Sequence, residues 1–135
     1  MSDIEYIAET PAAEEFIALR AAAGMSVNTR AAAEQGLPNS WFAVCVRANK
    51  NLVGMGRIIG DGGCVFQIVD IVVRPDYQRQ GIGYGVMKRL MAYLYDNAPT
   101  SAYVSLIADG DAHRLYQKFG FEFVAPASVG MALRT

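Results

Sequence analysis

The sequence predicts one mixed α/β domain (α+β), in which a mostly antiparallel sheet is flanked by helices. Two observations carry this prediction. Apolar, β-prone runs joined by tight turns occupy the middle of the chain, and helices with one apolar face lie before and after them. The 135 residues, 53% of them hydrophobic, can bury a sizeable core, so we assign residues 1–135 to a single domain.

The first half of the chain is predicted to hold one strand, two helices and a three-stranded meander. Thr10 and Pro11 suit the N-cap and first position of the first helix, and Gly24 suits its end. Gly36 ends an Ala-rich second helix. Polar turns separate the strands that follow. The predicted strands are 4–7, 41–46, 52–59 and 64–73, and the predicted helices are 11–24 and 28–35.

The second half opens with a long amphipathic helix. Its apolar residues, among them Ile82, Val86 and Leu90, recur every three or four positions, which predicts one buried face. A strand at 102–107 and a helix at about 111–119 follow, and Gly120 closes that helix. The order is then β-α-α-β-β-β-α-β-α-β. Its last strand is 121–124, and a short closing strand is expected at 131–133.

Charge and composition exclude several classes of function. A net charge of −1 gives no case for nucleic-acid binding, and no apolar run is long enough to span a bilayer. The acidic N-terminus, residues 1–5, lacks the apolar region of a signal peptide, which predicts a cytoplasmic location. Cys45 and Cys64 lie in apolar runs and are predicted to be buried free thiols. One histidine and two distant cysteines predict no metal site.

Three closely spaced glycines, Gly81, Gly83 and Gly85, open the long helix. Glycine leaves backbone N–H groups accessible, and the first turn of a helix has unpaired N–H groups at a positive dipole end. Together these features predict a cradle for a phosphate or pyrophosphate. The spacing lacks the four intervening residues and the Lys-Ser/Thr of a P-loop. The chain is also too short for a full dinucleotide-binding fold.

Residues 78–83 read Gln-Arg-Gln-Gly-Ile-Gly and resemble the acetyl-CoA loop, Q/R-x-x-G-x-G/A, of the GNAT superfamily of N-acetyltransferases. Residues 73–78 are similar to that family's approach to the loop. The segment from Asp109 is similar to a second GNAT signature, N-x-x-A-x-x-x-Y followed by Gly-Phe, although Asp109 stands where the family often has Asn. The positions that match this second signature are Ala112, Tyr116, Gly120 and Phe121.

The two signatures stand in the family's order and at its usual separation, and the resemblance covers nearly the whole chain. Residues 54–57 and 60–63 also look like those of small bacterial members of the family. The resemblance implies the GNAT fold, in which strands 64–73 and 102–107 run parallel and splay apart. It implies acetyl-CoA as cosubstrate and transfer of its acetyl group to a primary amine through a tetrahedral intermediate. An alternative is a non-catalytic acyl-CoA-binding module on the same fold.

The resemblance also implies where acetyl-CoA binds. The pantetheine arm would pair with backbone in the gap between the two parallel strands, and an N–H group near Ile71 would hold the oxyanion. Backbone N–H groups of the glycine turn would cradle the pyrophosphate, and the Arg79 side chain would pair with a phosphate or stay solvated. The implied contacts are Ile71, Val72, Val73, Arg79, Gln80, Gly81, Ile82, Gly83, Tyr84 and Tyr116.

Two residues are candidates for proton transfer. Asp70 is an acid within the apolar run 68–73, where burial would make a carboxyl group more basic, so it is the candidate general base. The alternative is a structural ion pair with an arginine. A β-bulge between Gln67 and Asp70 would bring both to one face. Tyr116 lies on an apolar helix face, which suits a core residue, but the match to the family signature makes it the candidate general acid.

The acceptor is predicted to be a small-molecule amine, and its identity is left open. In the family its pocket would be formed here by residues 25–41 and 125–131. Tyr6, Met25 and Trp41 form an apolar wall or part of the core, and Arg57 reaches a carboxylate or stays in water. Gly54 and Gly56 share a strand face and allow close backbone approach. Exposed strand edges suggest a homodimer.

Overall fold

The computed structural model describes residues 3–135, which form a five-stranded sheet in the order β1-β2-β3-β4-β5. Neighbouring strands are antiparallel except β4 and β5, which pair in parallel. The strands are β1 (Ile4–Ile7), β2 (Phe42–Ala48), β3 (Asn51–Gly60), β4 (Val65–Val73) and β5 (Tyr103–Leu106). The α-helices are α1 (Ala13–Ala22), α2 (Arg30–Gly36), α3 (Ile82–Asn97) and α4 (His113–Gln117). Short 3-10 turns lie at Leu37–Asn39, Pro75–Tyr77 and Gly110–Ala112.

The sheet buries a separate apolar cluster on each of its two faces. Helix α3 covers one face, where its Val86 and Leu90 pack with Ile58 and Phe66 of the strands. Helices α1 and α2 cover the other face, and Phe16, Leu19 and Ala33 pack there with Met55 and Val72. The predicted mixed fold with helices on a mostly antiparallel sheet is confirmed.

Both N-terminal helices begin later than predicted. Helix α1 starts at Ala13. The Glu15 carboxylate accepts the backbone N–H of Ala12 at 2.9 Å, which gives an otherwise unpaired N–H group at the helix start an acceptor from the helix itself. Helix α2 starts after Thr29, whose hydroxyl oxygen accepts the N–H of Ala32 at 3.2 Å. In each case a side-chain contact three residues apart sets the boundary.

A β-bulge interrupts β4 at Asp70 and Ile71, and it brings Gln67 and Asp70 to one face, as a bulge between those two residues was expected to do. Met55 pairs with Val72 and Arg57 pairs with Val69, so the two residues Asp70 and Ile71 face the single residue between Met55 and Arg57. Asp70 takes a positive φ of 56° at this point. The extra residue turns Asp70 toward α1. Because Phe66 and Ile68 face α3, alternation places Gln67 on the α1 side as well.

The predicted strands at 121–124 and 131–133 are wrong. Both segments are irregular in the structure. A strand forms only by hydrogen bonding to a neighbour, and the outer edge of β5 takes no strand from residues 3–135. The β-prone side chains of the two segments, such as Phe123 and Met131, stay exposed. The β-prone sequence of these two segments was therefore not sufficient for strand formation, because neither pairs with a neighbouring strand within residues 3–135.

The two cysteines differ, contrary to the prediction that both are buried. Cys45 is buried in β2, whereas Cys64 is exposed in the turn before β4. The Asp61 carboxylate accepts the N–H groups of Gly63 and Cys64 at 2.8 Å each, which closes the turn and leaves Cys64 outside the strand.

Residues 1 and 2, on which the prediction of no signal peptide partly rests, lie outside the described residues. Over residues 3–135 no helix is long and apolar enough to cross a membrane.

Candidate active site

The start of α3 presents a run of unpaired backbone donors. Gly81 is the N-cap and takes a φ of 80°, a left-handed conformation that glycine adopts without strain. The first helical bond runs from the N–H of Gly85 to the carbonyl of Gly81 at 3.0 Å. No protein acceptor within residues 3–135 meets the N–H groups of residues 79–84. This turn therefore has the geometry of an anion cradle, and Arg79 beside it is exposed.

The parallel pairing of β4 with β5 stops halfway along β4. The last paired residues are Ile68 and Leu106, and β4 continues to Val73 with no partner from β5. Backbone groups of residues 69–73 on this edge are thus open to a ligand. The Val72 side chain is buried on the α1 face, so only its backbone can take part. The strand is open where the family resemblance implies the pantetheine contacts.

Tyr116 lies in the buried cluster on the α3 face and is 8% exposed. The same cluster holds Ile68, the last β4 residue paired with β5, and Ile82, the first residue of α3. Tyr116 therefore packs into the same apolar cluster as residues that flank the open β4 edge and the start of α3. Burial raises the pKa of the Tyr116 phenol above 10, and the negative charge of Asp109 raises it further.

Asp70 does not have the apolar surroundings from which its role as a base was inferred. Arg20 donates to its Oδ1 at 2.5 Å and Arg57 donates to its Oδ2 at 2.7 Å. Its side chain is 11% exposed. The structure shows the alternative, a structural ion pair, and it involves two arginines. Of the two alternatives predicted for Arg57, contact with a carboxylate or exposure to water, the structure shows contact with a carboxylate, that of Asp70.

The arginines of this cluster have further contacts on the α1 side of the sheet. Arg20 also donates to the Ser26 carbonyl at 2.7 Å, and Arg57 donates to the Ser40 hydroxyl at 3.2 Å. Both guanidinium groups lie over the Phe16 ring, at 5.8 and 6.0 Å from its centroid. Sequence reasoning missed Arg20, because its neighbours along α1 give no sign of a partner 50 residues away.

Of the two alternatives for Tyr6, Met25 and Trp41, the structure shows the core, because Tyr6 and Trp41 pack on the α3 face and Met25 packs on the α1 face. Trp41 packs on Phe66 with a ring separation of 4.4 Å, and Tyr6 packs under Arg89 on the α3 side. Met25 packs with the cluster on the α1 side. These side chains are core contacts rather than one pocket.

A cavity of about 610 Å³ lies along the outer side of β5. Tyr116 and residues 128–132 line it together with β5, and no residue of β4 does. Part of the predicted segment 125–131 is thus near Tyr116, whereas residues 25–41 do not line this cavity.

A mostly antiparallel sheet with one parallel pair, whose pairing ends halfway along β4, and a helix with unpaired N–H groups at its start are the features expected of an acyltransferase of the α/β class. The family profile described as "Acetyltransferase (GNAT) domain" matches residues 7–132 of the chain. The chain therefore belongs to the GNAT family.

Solved structures and curated proteins agree with this assignment. A probable acetyltransferase of unknown function from meticillin-resistant Staphylococcus aureus is 48% identical. The alignment covers 98% of this chain and 100% of that one, with a TM-score of 0.94. A GNAT family protein from Streptococcus pneumoniae is 29% identical over 100% of this chain and 98% of its own, with a TM-score of 0.77.

The chloroplastic GCN5-related N-acetyltransferase 2 of Arabidopsis thaliana is 36% identical over 73 residues, which are 54% of this chain and 28% of that protein. The chain thus aligns with well under half the length of this curated relative.

Proposed function

We propose that this protein is an N-acetyltransferase that transfers the acetyl group of acetyl-CoA to the primary amine of a small molecule. The observation that carries the proposal is the combination of three features in one fold: the anion cradle at the start of α3, the open edge of β4, and buried Tyr116. Family membership supplies the reaction class.

Acetyl-CoA would bind along β4 with its pyrophosphate at the start of α3. The backbone N–H groups of Arg79, Gln80, Gly81, Ile82, Gly83 and Tyr84 are the proposed donors to the pyrophosphate. The open edge at Ile71, Val72 and Val73 would pair with the amides of the pantetheine arm, as an added strand pairs with a sheet edge. The thioester would then lie near the bulge, with Tyr116 beside it.

The acceptor nitrogen attacks the thioester carbonyl carbon, and the carbonyl electron pair moves onto oxygen. A backbone N–H group near Ile71 is proposed to donate to this oxyanion, a contact worth about 2.7–4 kcal/mol in comparable sites. The oxyanion then collapses, the amide forms, and the carbon–sulfur bond breaks to release the CoA thiolate. The products are the acetylated amine and CoA.

Tyr116 is the proposed general acid that protonates the leaving thiolate. Its raised pKa supports this role, because the phenol keeps its proton throughout the neutral and mildly alkaline range. The proton lost by the attacking amine balances the one that Tyr116 gives, and Tyr116 recovers its proton through solvent.

Asp70 is the proposed acceptor of the amine proton. Each carboxylate oxygen accepts from one guanidinium group, Oδ1 from Arg20 and Oδ2 from Arg57. The nitrogen becomes strongly acidic once the carbon–nitrogen bond forms, so a strong base is not required. Asp70 would therefore orient the amine through a free lone pair and take its proton as the bond forms, directly or through water.

Replacing Tyr116 with phenylalanine tests the proposal. General acids typically contribute about 10²–10⁴-fold, so kcat should fall by at least 10²-fold while the Kd for CoA changes little. Tyr95→Phe is the matched control, because Tyr95 is 76% exposed on α3 and its kinetics should not change. Full activity of Tyr116→Phe would remove Tyr116 from the mechanism.

We further propose that residues 1–135 act as one domain in the cytoplasm. Cys45 and Cys64 are both free thiols, which suits a reducing compartment. A second copy of the chain is the proposed macromolecular partner. It is supported by the open outer edge of β5 and by exposed apolar residues such as Tyr103, Val129 and Met131. Light scattering at micromolar concentration should give the mass of a dimer.

A further inference from the structure

The cluster of Arg20, Arg57 and Asp70 carries an excess positive charge in a poorly solvated place. Two guanidinium groups share one carboxylate, which leaves a net charge of +1. The side chains are only 11%, 16% and 11% exposed, respectively. An uncompensated charge at such a site is costly, so a further anion there would be favoured.

No other acidic side chain within residues 3–135 compensates this charge. The two carboxylates of α1 lie at its N-terminal end and form ion pairs with other arginines. Glu14 pairs with Arg30, and Glu15 pairs with Arg47. Glu9 also pairs with Arg47, at 2.8 Å. The cluster therefore keeps its net charge of +1, which no other acidic side chain within residues 3–135 neutralises.

The cluster keeps donors that the protein does not use. Arg57 donates from Nε to Asp70 and from Nη1 to the Ser40 hydroxyl, while its Nη2 meets no acceptor from residues 3–135. Adjacent Nη1 and Nη2 hydrogens of a guanidinium can bind a carboxylate or phosphate in bidentate fashion. Arg20 Nη2 has a single contact, to the Ser26 hydroxyl at a long 3.3 Å.

The position of the cluster ties it to the acceptor rather than to CoA. Asp70 immediately precedes Ile71 at the bulge, where the thioester is proposed to lie. The cluster faces α1, through Phe16 and Arg20. The proposed pyrophosphate cradle is at the start of α3, on the opposite side of the sheet. The phosphates of CoA are therefore not placed to neutralise the two arginines.

We propose that the acceptor carries an anionic group, a carboxylate or a phosphate, a few bonds from its amine, and that Arg57 and Arg20 bind this group. This inference rests on the proposed acetyltransferase function and adds a substrate class to it. Asp70 then meets the amine while the arginines meet the anion, so the site selects an acceptor that has both charges.

Matched acceptors test the inference. Tyrosine and tyramine differ by a carboxylate, and O-phosphoethanolamine and ethanolamine differ by a phosphate. The anionic member of at least one pair should have a kcat/KM about 10- to 100-fold higher, the range expected for hydrogen bonds to a charged group. Preference in the first pair identifies a carboxylate, and preference in the second identifies a phosphate.

Variants of Arg57 connect the preference to the cluster. Arg57→Gln should raise the KM for the anionic acceptor about 10- to 100-fold and leave the KM for acetyl-CoA unchanged. Arg57→Lys keeps the charge but loses the bidentate fork, so it should recover only part of the affinity. Lys50→Gln removes one positive charge from the exposed turn between β2 and β3 and should change neither KM. Thermal unfolding of each variant shows whether the fold is intact.

The outcomes separate this inference from the proposed function. Equal kcat/KM within both pairs, or an Arg57→Gln variant that is folded and retains the preference, overturns the anionic acceptor and leaves the acetyltransferase standing. If no amine releases thiol from acetyl-CoA, neither these four nor a wider amine set, the result counts against the acetyltransferase itself.

Discussion

Replacing Gly56 with alanine should destabilise the protein and disturb the site at the same time. Gly56 lies in β3 between Met55 and Arg57, opposite the bulge. A Cβ atom there would lie 2.5 Å from Ile71 Cδ1 and 2.6 Å from Val86 Cγ1. Carbon atoms in contact normally lie about 3.5–4.0 Å apart, so each neighbour must give by roughly 1 Å.

Two opposing effects set the magnitude. Overpacking of this kind costs about 1–3 kcal/mol, and Val86 cannot turn away because a β-branched side chain has one favoured rotamer in a helix. Alanine in place of a strand glycine returns about 0.5–1 kcal/mol of backbone entropy. The net loss is then about 0–2.5 kcal/mol. For a chain of this length that corresponds to a fall in Tm of up to roughly 9 °C.

Gly36→Ala is the matched control. Gly36 has helical angles, φ −80° and ψ −45°, and nothing within 4 Å of an added Cβ. The same substitution there should raise Tm by roughly 2–4 °C. Thermal unfolding followed by circular dichroism measures both. A Gly56→Ala protein that is as stable as Gly36→Ala would refute the packing of α3 against β3 described above.

Activity gives a second readout of the same change. Any displacement of Ile71 moves the backbone proposed to hold the oxyanion. Misplacement of about 1 Å can cost about 10²-fold in rate, so kcat of folded Gly56→Ala should fall about 10- to 100-fold. Gly36→Ala should keep the wild-type kcat. An unchanged kcat in Gly56→Ala would separate Ile71 from catalysis.

Three further predictions concern titrating groups. Because the pKa of Tyr116 is raised above 10, loss of its proton should not lower kcat below about pH 10. A fall in kcat near about pH 8 that is present in the wild type and absent in Tyr116→Phe would contradict the assignment. Burial raises the pKa of Cys45 to about 12, so a thiol reagent should modify only Cys64 in the native protein and both cysteines after unfolding; two fast equivalents would contradict the packing of β2. Hydrogen bonds from Arg47 lower the pKa of Glu15, so this pair should stabilise the fold above pH 4.5 and lose that effect as the pH falls through the lowered folded value. Glu15→Gln should therefore flatten the stability profile below about pH 4.5, and an unchanged slope would argue against the pair.

Local signals predicted most of the fold. Periodicity located the meander and α3, and the glycines marked the start of α3, where the backbone N–H groups are unpaired within residues 3–135. The shared face of Gly54 and Gly56 also predicted a close approach, since an added Cβ on Gly54 would lie 3.1 Å from Ile82 on α3. These features depend on residues within one or two elements, which a sequence displays directly.

Contacts between distant elements could not be predicted. Arg20 meets Asp70 only because the bulge turns Asp70 toward α1, and no spacing along the chain encodes that meeting. The strand predicted at 121–124 failed for a related reason, because its residues are β-prone but pairing requires a neighbour that residues 3–135 do not place there. Cys64 was misplaced because its turn is closed by Asp61.

Amine-dependent release of CoA from acetyl-CoA tests the central claim most directly. Because Cys64 is exposed and would react with a thiol reagent, the assay should use a Cys64→Ser background and confirm the acetylated amine by mass spectrometry. The account predicts release that depends on the amine and on Tyr116, with one acetylated amine formed per CoA. Tight CoA binding without amine-dependent release across a broad panel would contradict it and would indicate a non-catalytic acyl-CoA-binding module.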